Sequence, residues 1–229
     1  MARIQVCGHS FVARHRSFLL GNTKYRTTKM DFAKDYGLPR EKVYVSGRSG
    51  LKLDYEGAKF IRECALWRRP HLMVLEIGTN DIADKTADVE ASCHAEFVAQ
   101  KLVRLVDDLH RNEGVKKFVV CKIIQRRRYR GVKKAANEDQ EQWKQRKKRA
   151  DDEFETMRQC FNEVMAKESM KRPHLMTFTH GRSAMRNLSR DVSKDQIHCT
   201  TGIGQQMYHF SMRRAVAKGL QRAKKNGLF

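Results

Sequence analysis

A chain of 229 residues with 40% hydrophobic residues, 14 glycines and 3 prolines has material for one sizeable core, which excludes a collagen-like, proline-rich or wholly disordered protein. Its 47 Lys and Arg against 26 Asp and Glu give a formal net charge of +21, a balance that predicts attraction to polyanions and is silent about fold. The longest apolar runs, such as Leu72-Met73-Val74-Leu75 and Phe118-Val119-Val120-Cys121, fall far short of the ~20 residues a membrane span needs.

The N-terminus, Met1-Ala2-Arg3-Ile4-Gln5-Val6-Cys7, enters a strand at once and has no apolar signal core, so an intracellular protein, cytoplasmic or nuclear, is expected. Strand one is Ile4–Cys7, ending in Gly8. Strand two is Lys42–Val45, ending in Ser46-Gly47-Arg48-Ser49-Gly50. Strand three is Leu72–Ile77, between Pro70 and Gly78. Strand four is Phe118–Ile124, introduced by Gly114, and strand five is His174–Phe178, introduced by Pro173. Helical patterns fill the intervals around Asp54–Trp67, Val89–His110 and Asn137–Ser169, and a last one, Gln205–Ala223, follows strand five. Phe154, Met157, Phe161, Val164 and Met165 recur at helical spacing and predict packing of the third helix on the sheet. Alternating strands and helices predict an α/β fold, a three-layer α/β/α sandwich around a mainly parallel five-stranded sheet. One domain over residues 1–229 is expected, with a basic segment, 122–150, inserted after strand four.

The six cysteines, Cys7, Cys64, Cys93, Cys121, Cys160 and Cys199, form no C-x-x-C pair and are read as reduced thiols rather than a disulfide framework or zinc site. His15, His71, His94, His110, His174, His180 and His209 show no ligand spacing and are expected to be structural or exposed. Met165, Met170, Met176 and Met185 are expected to fill the core.

Charge is uneven along the chain. Residues 1–30 hold six Lys/Arg and no acid, as do residues 199–229. Residues 122–150 hold twelve against Glu138, Asp139 and Glu141. Within that middle block, Arg126, Arg127, Arg128 and Arg130, then Lys144, Arg146, Lys147, Lys148 and Arg149, are the candidate contacts for RNA or DNA. The plainer alternative is a solvated helix face and a basic loop, and Tyr129 and Trp143 are few aromatics for a base-stacking platform.

Ligands of open parallel sheets bind outside the carboxyl ends of the strands, so the residues there carry the functional argument. Strand one is followed by Gly8-His9-Ser10-Phe11 and strand three by Gly78-Thr79-Asn80-Asp81; Asp195-Gln196-Ile197-His198 precedes the last helix. A serine nucleophile needs an adjacent base. His198 supplies one that titrates near neutral pH, and Asp195, three residues earlier, can orient the imidazole and stabilise its charged form. The Ser10 and Gly50 backbone N–H groups and the Asn80 side-chain amide are candidate donors to a tetrahedral oxyanion. Taken singly, each has a plainer role: Ser10 or Asp195 as a helix N-cap, Asn80-Asp81 as turn residues, His198 as a surface histidine.

Four blocks in order resemble the SGNH hydrolases, the GDSL-type esterase and lipase superfamily: Gly8-His9-Ser10, a glycine after strand two (Gly50, with Gly47 as alternative), Gly78-Thr79-Asn80-Asp81, and Asp195-Gln196-Ile197-His198. The resemblance covers almost the whole chain. It implies a flavodoxin-like sheet, a Ser10–His198–Asp195 triad, cleavage of small acyl esters through an acyl-serine, and no metal or cofactor. His9 departs from the family's usual aspartate, which puts the hydrogen bonding and charge of the nucleophile loop in question. Cys199 stands where proline or an apolar residue is common. The Gly-His-Ser-Phe start and the basic segment after strand four are similar to invertebrate, transposon-associated members. Some relatives in mobile elements implicate nucleic acid as an alternative role for the fold.

Overall fold

Leu72–Glu76 and Lys117–Cys121 are buried along their whole length. A strand with no exposed face belongs inside a parallel sheet covered on both sides, and that is where both lie. The computed structural model describes residues 1–21, 31–86, 88–125, 134–181 and 203–228. Five strands, β1 (Arg3–Gly8), β2 (Lys42–Gly47), β3 (Leu72–Glu76), β4 (Lys117–Cys121) and β5 (Leu175–Phe178), form one sheet in the order β2-β1-β3-β4-β5, parallel throughout. The helices are α1 (Ser10–Leu19), α2 (Tyr55–Arg68), α3 (Thr79–Ile82), α4 (Ala91–Asn112), α5 (Gln140–Lys171) and α6 (Ile203–Lys225).

Successive side chains of a strand point to opposite faces, so each central strand feeds two cores. Met73, Leu75, Phe118 and Val120 pack with α2, α4 and α5 through residues such as Ile61, Leu102, Val106 and Phe161. Ile4, Val6, Val74 and Val119 pack on the other side with Val12 of α1 and Met212, Val216 and Leu220 of α6. The result is the expected α/β/α sandwich. Carboxylates start three of the helices by accepting otherwise unpaired backbone N–H groups: Asp54 for α2, Glu90 for α4 and Asp139 for α5.

The structure differs from the sequence reading in particular places. Strand four stops at Cys121 instead of Ile124, because the Ile123 N–H donates to the Asn162 side chain of α5 (2.8 Å) rather than continuing the ladder with β5. The helical patterns read from the sequence do not include α1 or the single turn α3, although Ser10 as an N-cap would set a helix after it. Phe154, Met157, Phe161 and Met165 of α5 are buried as expected, whereas Met170 is 80% exposed and fills no core; Met176 is buried, and Met185 lies outside the described residues. The five described cysteines are free thiols. No described helix is long and apolar enough to cross a membrane.

Two glycines let α1 lie close against the sheet. Gly8 and Gly47 sit opposite one another at the ends of β1 and β2, and a Cβ on Gly47 would stand 2.5 Å from Ala13 Cα and 2.6 Å from Val12 C. Backbone cannot yield as a flexible side-chain tip does. Gly47→Ala is therefore expected to cost about 1–3 kcal/mol through overpacking, measured by urea denaturation. An unchanged midpoint would mean that α1 moves freely off the sheet.

Candidate active site

The strand order turns back on itself between β1 and β3, the point at which doubly wound sheets bind ligands beyond their carboxyl edge. Ser10 follows β1, Gly50 follows β2 and Asn80 follows β3. The order β2-β1-β3 therefore places the candidate nucleophile loop in the middle with candidate oxyanion donors on either side. Backbone bonds fix the three loops to one another. His9 N–H donates to the Glu76 carbonyl (3.1 Å) and Arg48 N–H to the Gly8 carbonyl (3.0 Å).

Ser10 is the first residue of α1, half-buried, and the N-cap is His9 rather than Ser10. The positive end of the helix dipole thus lies at the serine, where it favours developing negative charge. The His9 ring is turned inward, 1% exposed, with Nδ1 3.5 Å from the Phe11 N–H and the ring edge-on to Phe11. Its charge is one of the influences that lower the Glu76 pKa. An aspartate in this place would bring a second carboxylate toward that buried glutamate, so histidine at position 9 suits this chain's own interior.

Gly47 and Gly50 have different reasons to lack a side chain. Gly47 is confined by α1, as described above. Gly50 occupies the third position of a turn closed by Leu51 N–H to the Arg48 carbonyl (3.2 Å), with φ +73°, and a Cβ there would meet nothing within 4 Å. A positive φ at that position is the glycine signature of a type II turn. The open space around Gly50 makes it the better candidate of the two for approach by a ligand. The loop is held from the β3 side by two bonds at alternate residues. Asn80 Nδ2 donates to the Leu51 carbonyl (3.1 Å), and Leu53 N–H donates to Asp81 Oδ1 (2.6 Å). One amide hydrogen fixes the Asn80 side chain, and the second remains for another acceptor. Burial raises the Asp81 carboxyl above the usual range, a shift the Leu53 bond opposes.

Beneath these loops lies a polar cluster that the sequence reading missed. Glu76, 3% exposed, ends β3, and its Oε2 lies 3.1 Å from both His180 Nε2 and the Tyr208 hydroxyl. Ser211 Oγ is 2.8 Å from His180 Nδ1. With the Nε2–H donating to the carboxylate, each of these partners is satisfied. Burial pushes the Glu76 carboxyl up, but His180, through charge and hydrogen bond, with His9 and Tyr208, hold it below the usual carboxylate value. Burial and the same carboxylate push the Cys121 thiol up. Glu76, Cys121 and His180 each offer a ligand atom within 4.8 Å of the others, a donor set able to hold a divalent cation; here the carboxylate is engaged by His180 and Tyr208. Only the run Leu75-Glu76-Ile77-Gly78, an acid inside an apolar strand, signalled this cluster in the sequence.

Asp195 and His198 lie outside the described residues, as do Arg126, Arg127, Arg128 and Arg130. In sequence, Asp195 and His198 fall between His180 and α6. The remaining candidate nucleic-acid contacts, Lys144, Arg146, Lys147, Lys148 and Arg149, lie in the N-terminal half of α5, where no residue before Phe154 is buried.

No protein-family model matches the chain, and no curated protein sequence matches it. Solved structures do. A GDSL-like lipase from Bacteroides thetaiotaomicron superposes with a TM-score of 0.60 at 15% identity, over 95% of this chain and 88% of the lipase. A catalytic mutant of Axe2, an acetylxylan esterase from Geobacillus stearothermophilus, gives 0.55 at 11% identity over 94% of both chains. LAE5, an α/β hydrolase from the metagenome of Lake Arreo, gives 0.54 at 15% over 94% of this chain and 95% of its own. The architecture is thus that of the GDSL-like hydrolases.

Removing the carboxylate leaves His180 and Tyr208 buried without it. Glu76→Ala is expected to cost about 3–5 kcal/mol at neutral pH, as breaking buried charged pairs does. Because the folded-state pKa is lowered, this stabilisation is present above the unfolded value of about 4.3 and is lost as pH falls through the folded value. Urea titrations at pH 7 and at lower pH should show the gap between wild type and variant narrowing below pH ~4. Equal stabilities at pH 7 would refute the role given to Glu76.

Proposed function

We propose that the protein is a serine esterase that cleaves small acyl, acetyl-type esters through an acyl-Ser10 intermediate. The observation that carries the reading is Ser10 at the N-terminus of α1, in the loop between Gly50 and an Asn80 side chain fixed by Leu51. The likeness of the fold to GDSL-like lipases and to an acetylxylan esterase supports an ester as substrate.

In this proposal His198 removes the Ser10 hydroxyl proton as the oxygen attacks the ester carbonyl, and Asp195 orients the imidazole and stabilises its positive charge. Negative charge gathers on the former carbonyl oxygen. The N–H groups of Ser10 and Gly50 and the second Asn80 amide hydrogen bind it, assisted by the dipole of α1. The C–O bond to the alcohol breaks as His198 returns the proton to the leaving oxygen. Water, deprotonated by the same imidazole, then attacks the acyl-Ser10, and Ser10 leaves with the proton. No metal or organic cofactor enters this sequence.

Hydrolysis of p-nitrophenyl acetate tests it. Ser10→Ala should lower kcat/KM by at least ~10³-fold, and Asn80→Ala should lower kcat by about 10²–10³-fold, the worth of one oxyanion donor. The wild-type kcat/KM should fall as pH drops through about 6.5, where an unperturbed imidazole takes up its proton. Turnover that survives Ser10→Ala, or a profile flat from pH 5 to 8, would remove this mechanism.

A further inference from the structure

The positive charge of the chain is divided unequally between the two helical layers. Helices α2, α4 and α5 together carry 14 Lys/Arg and 12 Asp/Glu. Helices α1 and α6, on the opposite face of the sheet, carry eight Lys/Arg and no Asp or Glu. In α5 the cations are largely answered. Arg146 pairs with Glu138 (2.6 Å), Lys147 with Asp151 (3.0 Å) and Lys144 with Glu141 (3.7 Å). The density of cations in sequence is therefore not the density of unpaired charge in space.

On α6, Arg214, Lys218, Arg222 and Lys225 are exposed and recur at spacings of four, four and three residues, which sets them along one stripe. Among the described residues none of the four has a carboxylate within 4 Å, whereas Lys224 of the same helix meets Glu41 (3.9 Å). Like charges at this spacing destabilise a helix, and a polyanion relieves that repulsion while releasing its own counterions. Four residues of helix rise about 6 Å, a spacing that an extended sugar-phosphate strand can follow. One turn before Arg214, Phe210 is 50% exposed and offers a ring face for a base. Ala217 and Gln221, between the cations, present no bulky apolar side chain for insertion into a lipid surface.

We propose that the exposed stripe of α6 binds a single-stranded nucleic acid, with phosphates along Arg214, Lys218, Arg222 and Lys225 and a base stacked on Phe210. The proposal stands on the charge of this face and is independent of the esterase reading.

Fluorescence anisotropy of the full-length protein with labelled 20-nucleotide RNA and DNA of one sequence, between 50 and 200 mM salt, tests it. Binding should weaken with salt, with four contacts contributing about −3 to the slope of log K against log[salt]. The variant Arg214→Gln/Lys218→Gln/Arg222→Gln/Lys225→Gln should lose at least ~10-fold in affinity and most of that slope. Phe210→Ala should lose about 5-fold or more. Lys144→Gln/Lys148→Gln/Arg149→Gln should stay within about twofold of wild type, the charge reduction there lying off the stripe. Thermal melts establish that each variant is folded. Comparison of the RNA and DNA arms identifies the strand preferred. Unchanged binding by the folded α6 variant, equal loss from the α5 variant, tighter binding of duplex than of single strands, or binding only to phosphatidylserine vesicles would each overturn the proposal.

Discussion

The carboxyl edge of the sheet depends on one buried carboxylate. Glu76 uses both halves of the residue. Its backbone carbonyl accepts the His9 N–H and so holds the loop that begins α1. Its side chain receives His180, beyond β5, and Tyr208, on α6. A carboxylate in an apolar strand is expensive to bury, and the cost is offset only when its partners are complete. That requirement makes the cluster a constraint on geometry: the end of β3, the residues after β5 and the first half of α6 must meet at one point for any of them to be satisfied. The histidine at position 9 fits the same constraint, since unlike an aspartate it brings no second carboxylate toward Glu76.

The candidate oxyanion elements are positioned by a second, simpler device. The loop after β2 is hung from the turn after β3 through Leu51 and Leu53, two residues apart, by the adjacent side chains of Asn80 and Asp81. Both acceptors and donors are short and their bonds begin on rigid elements. The turn containing Gly50 therefore takes its place from β3, across the intervening β1, and the serine loop lies between two parts that are already fixed relative to each other.

What the sequence showed and what it hid divide along the range of the interactions. Apolar runs closed by glycine, such as Leu72–Ile77 before Gly78, are local signals, and from them the five strands, the parallel sheet and the motifs at the strand ends were legible. The end of β4 was not, because it is set by Asn162, 39 residues away on a helix. Nor was the Glu76 cluster, whose bonds span 104 and 132 residues. Charge reads differently in sequence and in space for the same reason. Lys144–Arg149 is dense in sequence but interleaved in space with Glu138, Glu141 and Asp151, whereas the cations of α6 look sparse in sequence because helical spacing separates them.

Helix α5 has 32 residues, yet the core it serves begins only at Phe154. Its first fourteen residues, from Gln140, contribute no buried side chain, and Asp139 caps them independently of the sheet. Substitutions between the cap and Glu153, whose carboxylate pairs with Lys85 (3.0 Å), remove no buried side chain from the core. A foreign segment grafted between the cap and this core would leave the packed contacts from Phe154 onward in place.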